Sequence, residues 1–129
     1  MVDRLIAEDK ALRVVYREFP VLGPNSEAAA RASLAAAAQP GKYSAFHHAL
    51  FAAGRPEPAT LARVAAAQGV TATAETPEIA VELGQNAQLA AAIGVRGTPA
   101  FIVGDQVFPA AVSYETLKQA IADARARRK

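Results

Sequence analysis

The sequence predicts a mixed α/β (α+β) fold in which one small sheet is split by a long helical block. Three observations carry this. The early run Leu12 to Arg17 (LRVVYR) is β-branched and apolar enough to be a strand. From Ser26 to Gly94, apolar residues recur at intervals of three and four, the period of helices packed along one face. Near the C-terminus, RGTPAFIVGDQVFP (Arg96 to Pro109) joins two short apolar runs through a Gly-Asp dipeptide, the pattern of a hairpin.

The elements follow in order. Val2 to Glu8 is a short helical piece carrying Leu5 and Ile6, and the strand Leu12 to Arg17 comes after it. FPVLGPN is then a loop, and Asn25 or Ser26 can cap the next helix, Glu27 to Ala38. A third helix spans Lys42 to Ala53, with Tyr43, Phe46 and Leu50 on one face. A fourth spans Ala59 to Gln68, where Leu61, Val64, Ala65 and Gln68 share a face and Gly69 supplies the stop. Thr76-Pro77 starts another helical stretch, since proline suits a first turn. Its expected core contacts are Ile79, Leu83, Leu89 and Ile93, with Gly84 as a break and Gly94 as the end.

Pro99 fixes the reading of what comes next. Proline removes a ladder donor, so within a sheet it belongs at a strand start, an edge or a bulge. It therefore opens the strand Ala100 to Val103, whose apolar residues without alternation predict cover on both faces. Gly104-Asp105 is a turn dipeptide in the reverse of the Asp-Gly order of type I′ hairpins, and Gln106 to Phe108 returns antiparallel. Ser113 caps a last helix whose apolar positions are Tyr114, Leu117, Ile121 and Ala124.

Composition excludes several classes of function. The length predicts a single domain over residues 1–129, with the segment 26–94 as a helical insertion within it. Hydrophobic residues make up 52%, but alanine runs such as ASLAAAAQ inflate that figure and each alanine buries little area. No apolar stretch reaches about 18 residues, so no membrane span is expected. Asp3, Glu8 and Asp9 interrupt any signal-like core near the N-terminus, which predicts that the chain as written stays in the cytoplasm. The net charge of +2 owes four cations to Arg125, Arg127, Arg128 and Lys129, and without them the balance is negative. Cations complement a helix C-terminus, so nucleic acid is not an expected partner.

Other chemistry is sparse. His47 and His48 project about 100° apart on a helix and cannot jointly chelate, which predicts no metal site. Glu78 and Glu82 lie one turn apart on a solvent face, and no phosphate-cradling Gly-x-x-x-x-Gly-Lys occurs. Tyr43, Phe46, Phe51, Phe101 and Phe108 are expected in the core.

Three segments, VVYREFPVLGPNS, AAQPGKYSAFHHALF and LAAAIGVRGTPAFIVGDQVFPAAVSYETLKQAI, stand in an order that resembles the DsbA-like thiol-disulfide oxidoreductases. The resemblance implies a thioredoxin-like fold, incomplete here, with an inserted α-helical domain. It implies that the Thr98–Pro99 bond is cis and that Gly97, Thr98 and Pro99 form a substrate-binding loop. There the backbone of Thr98 would pair with an extended peptide or protein thiol substrate, Gly97 allowing close approach. That family carries a Cys-x-x-Cys at the start of its first long helix, where the thiolate pKa is lowered. This chain has no cysteine. Its opening VDRLIAEDKALRVVYREFP looks like the second half of that helix running into the second strand, with the redox pair and the first strand upstream of Met1.

The resemblance therefore implies a chain without catalytic residues, inactive in disulfide exchange on its own and in need of no cofactor. Two alternatives stay open: a non-catalytic thioredoxin-like peptide-binding module, and a relative of kappa-type glutathione transferases and isomerases. A longer family member with an upstream signal would be exported or periplasmic. The family's first strand lies between the strands read here as Leu12 to Arg17 and Ala100 to Val103, so its absence leaves two open edges. Either the edges meet in a three-stranded sheet or a second copy covers them, and a homodimer is the expected outcome.

Overall fold

Helix-forming sequence dominates the chain, and a computed structural model describes residues 1–71 and 76–128. The elements are α1 (Val2–Glu8), α2 (Pro24–Ala37), α3 (Lys42–Ala53), α4 (Pro58–Ala67), α5 (Pro77–Ala92), β1 (Phe101–Val103), β2 (Gln106–Phe108) and α6 (Tyr114–Arg127). Lys129 lies outside the described residues. Among those described, no helix is long and apolar enough to cross a membrane. The chain divides into two compact units, Glu18–Gln88 and Met1–Arg17 with Leu89–Lys129.

The first unit is helical. Pro24 stands at N1 of α2 behind Gly23, so Asn25 and Ser26 lie inside the first turn and do not cap it. A proline at N1 lacks only an N–H that would have no helical partner, which lets the helix begin earlier than the Asx and Ser residues suggest. Ala29, Ala32 and Ala36 of α2 meet Phe46 and Leu50 of α3 and Val64 and Ala65 of α4 in one cluster. Phe46 is 0% exposed. Small alanine side chains let the helices approach while the ring fills the space between them. Leu34 and Ala35 form a second cluster with Ile79, with Leu83 packed against it. Phe51, expected inside, is 74% exposed. It lies five residues past Phe46, a rotation of about 140° that carries it off the buried face.

Polar contacts pin this unit. Lys42 Nζ donates to the carbonyls of Gln68 at 3.1 Å and Gly69 at 3.4 Å, where α4 leaves its last oxygens without helical partners. Asn86 is buried, and its Nδ2 donates to the Glu18 carbonyl at 2.9 Å. The Tyr43 hydroxyl donates to Glu18 Oε1. Burial pushes the Glu18 carboxyl upward from its usual value, partly offset by the Tyr43 hydrogen bond and reinforced by Glu82. The helix α5 runs through Gly84 without a break, because one glycine lowers helix propensity but leaves every backbone bond available. Leu89, expected in the core, is exposed, whereas Ala90 is buried.

In the second unit, β1 and β2 form a two-stranded antiparallel sheet that pairs Phe101 with Phe108, Ile102 with Val107 and Val103 with Gln106. Both strands alternate half-buried, exposed, half-buried. Ile102 is 53% exposed, so the expectation of cover on both faces does not hold, although α6 packs against β1. Gly104 has φ +61° and Asp105 a negative φ, the pattern of a type II′ turn with glycine first. The expected strand at 12–17 is in neither strand nor helix. Its residues alternate half-buried and exposed from Leu12 to Val15, but a strand needs a ladder partner, and β1 pairs only with β2 among the described residues. The open edges therefore do not meet in a three-stranded sheet.

The helix α6 starts where the sequence places it: Ser113 Oγ accepts from Thr116 N at 3.1 Å. Leu117 and Ala120 are its buried residues. Charged and aromatic groups fasten α1 to it. The Arg4 guanidinium lies 3.9 Å from the Tyr114 ring centroid, Tyr114 donates to Glu8, and Arg125 pairs with Asp9 at 2.7 Å. Hydrogen bonds from Tyr114 and Arg4 hold the Glu8 carboxyl below its usual value, and the bond from Arg125 does the same for Asp9.

A Cβ on Gly84 would meet nothing within 4 Å. Gly84→Ala is therefore expected to raise stability by about 0.5 to 1 kcal/mol, read as a higher urea midpoint; an unchanged or lower midpoint would refute it. Ser113→Ala should lower stability by about 1 kcal/mol while Ser113→Asp retains it, and equal losses in the two variants would contradict the capping role.

The carboxylates predict opposite pH dependences. Glu8 and Asp9 have lowered folded-state values, so their contribution is complete above the unfolded carboxylate range and is lost as pH falls through their folded values. Glu18 has a raised value, so the folded state binds its proton more tightly and stability falls as pH rises from the unfolded value through the folded one. Urea midpoints across pH should show the deficit of a Glu8→Gln, Asp9→Asn double variant shrinking below about pH 4. The stability of Glu18→Gln relative to the parent chain should increase from about pH 4 to 7. Differences that do not vary with pH would reject these assignments.

Candidate functional site

The segment 93–100 leads from α5 into β1 and places the residues singled out in the sequence. Gly94 ends the helix with φ +78°, a left-handed conformation that side chains rarely adopt. Val95 N then donates back to the Ala90 carbonyl at 2.8 Å, and the Val95 side chain is buried. This closure, a left-handed residue followed by an apolar anchor, fixes the direction in which the chain leaves the helix. Arg96 is exposed, Gly97 half-buried, and Thr98 and Pro99 exposed. The Thr98–Pro99 peptide bond is cis. Phe101, two residues later, begins β1.

Gly97, Thr98 and Pro99 thus form one continuous turn between a buried valine and the first strand. Gly97 has no positive φ, and a Cβ built on it would meet nothing within 4 Å. Neither backbone conformation nor packing among the described residues explains a glycine there. The exposed turn offers backbone groups rather than an acid, a base or a thiol.

Other candidates separate from this turn. No group of three or more metal-ligating side chains occurs among the described residues. The His47 ring stacks on Tyr43, centroids 5.8 Å apart, and lies 4.6 Å from Phe51. His48 Nδ1 donates to the Ser44 carbonyl at 2.6 Å. Glu78 and Glu82 are both exposed on α5. Glu18 is the half-buried carboxylate with a raised value, and its partners Tyr43 and Asn86 hold it within the helical unit.

One cluster has no local signal in the sequence. Arg13, Arg125, Arg127 and Arg128 line a groove of about 620 Å³, with Asp105 as its acidic lining residue. Arg127 pairs with Asp105 at 2.9 Å. Sequence reasoning assigned the C-terminal arginines to a solvated helix end and left Arg13 inside a strand, because only the fold brings the two regions together.

Comparison with known proteins bears on this arrangement. A thioredoxin-like oxidoreductase from Silicibacter pomeroyi DSS-3 superposes with a TM-score of 0.89 at 39% identity, over 97% of this chain and 75% of that one. A periplasmic thioredoxin-like protein from Salmonella enterica serovar Typhimurium gives 0.88 at 26% identity, over 97% and 73%. Proteus mirabilis ScsC in a compact conformation gives 0.86 at 22% identity, over 99% and 74%, a likeness of fold. No curated protein sequence matches the chain. Residues 1–122 match the DSBA-like thioredoxin domain, and the chain belongs to that family of thioredoxin-fold oxidoreductases.

Proposed function

We propose that this chain is the substrate-docking part of a DsbA-like protein thiol-disulfide oxidoreductase and performs no disulfide exchange by itself. In this reading Gly97, Thr98 and Pro99 receive an extended stretch of a protein substrate, and residues 26–94 form a helical insertion within one thioredoxin-like domain. The observation that carries the proposal is the exposed turn at the head of β1, where a glycine unneeded by the fold precedes Thr98 and Pro99. A backbone without a side chain at Gly97 lets a second backbone come within hydrogen-bonding distance of Thr98. Family membership supplies the class of substrate.

The absence of cysteine supports the second half of the reading. The thiolate is the nucleophile of disulfide exchange, and serine, threonine or histidine cannot form the mixed disulfide that the exchange passes through. The same absence favours the related reading of a non-catalytic peptide-binding module. An oxidising, exported setting fits thiol-disulfide chemistry better than the cytoplasm, and the periplasmic neighbour from Salmonella supports it.

Two measurements test this. The purified chain should not accelerate insulin precipitation by dithiothreitol, and turnover above the uncatalysed rate would overturn the assignment of silence. Reduced, carboxymethylated α-lactalbumin, an unfolded protein with blocked thiols, should bind. Gly97→Val should weaken that binding about tenfold with an unchanged urea midpoint, because the added side chain meets open space in the chain itself. Equal affinity of variant and parent would remove the turn from the site.

A further inference from the structure

A cation stands at the entrance of the turn, and the fold around it supplies no anion. Arg96 follows Val95, whose side chain is buried and whose N–H is bonded back to Ala90, so the Arg96 backbone is anchored while its side chain is exposed. Among the described residues, no ion pair, hydrogen bond or ring contact holds its guanidinium. The carboxylates of the same compact unit are engaged elsewhere. Glu8 accepts from Arg4 and Tyr114, Asp9 pairs with Arg125, and Asp105 pairs with Arg127. Asp123 accepts from Gln119 on α6, and the charges of Glu115 and Asp3 act on Arg4 and Tyr16.

We infer that Arg96 selects, among extended protein segments docked at the turn, those carrying an aspartate or glutamate within about two residues of the position opposite Thr98. The inference rests on the reading of Gly97, Thr98 and Pro99 as a docking turn and adds the charge of the segment they receive. Reach sets the position. Residues two apart in an extended segment lie on one face about 7 Å from each other, a distance that an arginine side chain spans.

Chemistry sets the class of side chain. A guanidinium presents forked, coplanar donors that a carboxylate accepts two at a time. Hydrogen bonds to the main chain of Gly97 and Thr98 read no side chain, so the turn itself is indifferent to sequence. A lysine or arginine at the same place of the segment meets like charge, and that repulsion adds to the discrimination. Cations also outnumber carboxylates over residues 1–17 and 89–129, so the field of this unit favours an acidic segment before contact.

Three fluorescein-labelled peptides of about eight residues test this, each with valine alternating with threonine and alike except for Glu, Gln or Lys two residues to either side of the centre. In anisotropy titrations of the intact chain at ~50 mM salt, the Glu peptide should bind about threefold tighter than the Gln peptide and about tenfold tighter than the Lys peptide, and the spread should narrow at ~500 mM. Arg96→Gln should remove the preference at an unchanged urea midpoint. Arg96→Glu should reverse it, an inversion that a loss of fold cannot produce. Equal binding of the three peptides to the parent chain, or a preference for Glu that survives in Arg96→Glu, overturns the inference. Gly97→Val separates it from the reading it rests on: if the variant weakens all three peptides while the parent shows no preference, the docking turn stands and the role of Arg96 alone is rejected. Binding that Gly97→Val leaves unchanged rejects the docking turn, and the inference with it.

Discussion

A ribbon of two three-residue strands does not hold itself together in water, so the second unit depends on the packing of α6 against β1. That contact removes one face of the sheet from solvent. Everything that fixes α6 therefore also fixes β1: the Ser113 cap at its first turn, burial of Leu117 and Ala120 along its middle, and the ties from Arg4, Glu8 and Asp9 of the N-terminal segment. Exposed ion pairs contribute little each, and their use here is to hold orientation. The buried apolar face contributes the larger share.

The helical unit meets a different constraint. Its α2 is buried over Ala29 and Ala30 and from Ala32 to Ala36, with Ser33 and Leu34 among them, so neighbouring helices must come close to leave no void. Alanine permits that approach, but it contributes little apolar area per residue. Phe46, Leu50 and Val64 supply the volume that the alanines lack. The cost of burying the Glu18 carboxylate is reduced by Tyr43 and limited by the group's raised proton affinity.

What the sequence discloses follows the range of the interaction responsible. The bounds of α3 are legible because Gly41 and Gly54, both at positive φ, flank a helical pattern. The Ser113 cap and the two-residue turn at Gly104 are legible for the same reason: each is settled within four residues. The segment 12–17 has the composition and alternation of a strand, yet strand formation depends on a partner that no local pattern supplies. Burial is misread at Phe51, Leu89 and Ile102, where apolar character is local but the face presented is set by neighbours elsewhere in the chain. In the candidate site, Gly97, Thr98 and Pro99 are adjacent and could be read together, whereas Arg13 and the arginines of α6 are joined only by folding.

One strand consequently borders both candidate surfaces. Its N-terminal approach is the Gly97-Thr98-Pro99 turn, and its C-terminal end, at Val103, borders the arginine-rimmed groove. Pro99 has no N–H to donate, so the turn offers one main-chain donor fewer than the strand it leads into. The turn presents main chain beside a glycine, whereas the groove presents arginines next to the apolar side chains of Ile121 and Ala124, so the two surfaces differ in chemistry although one strand joins them.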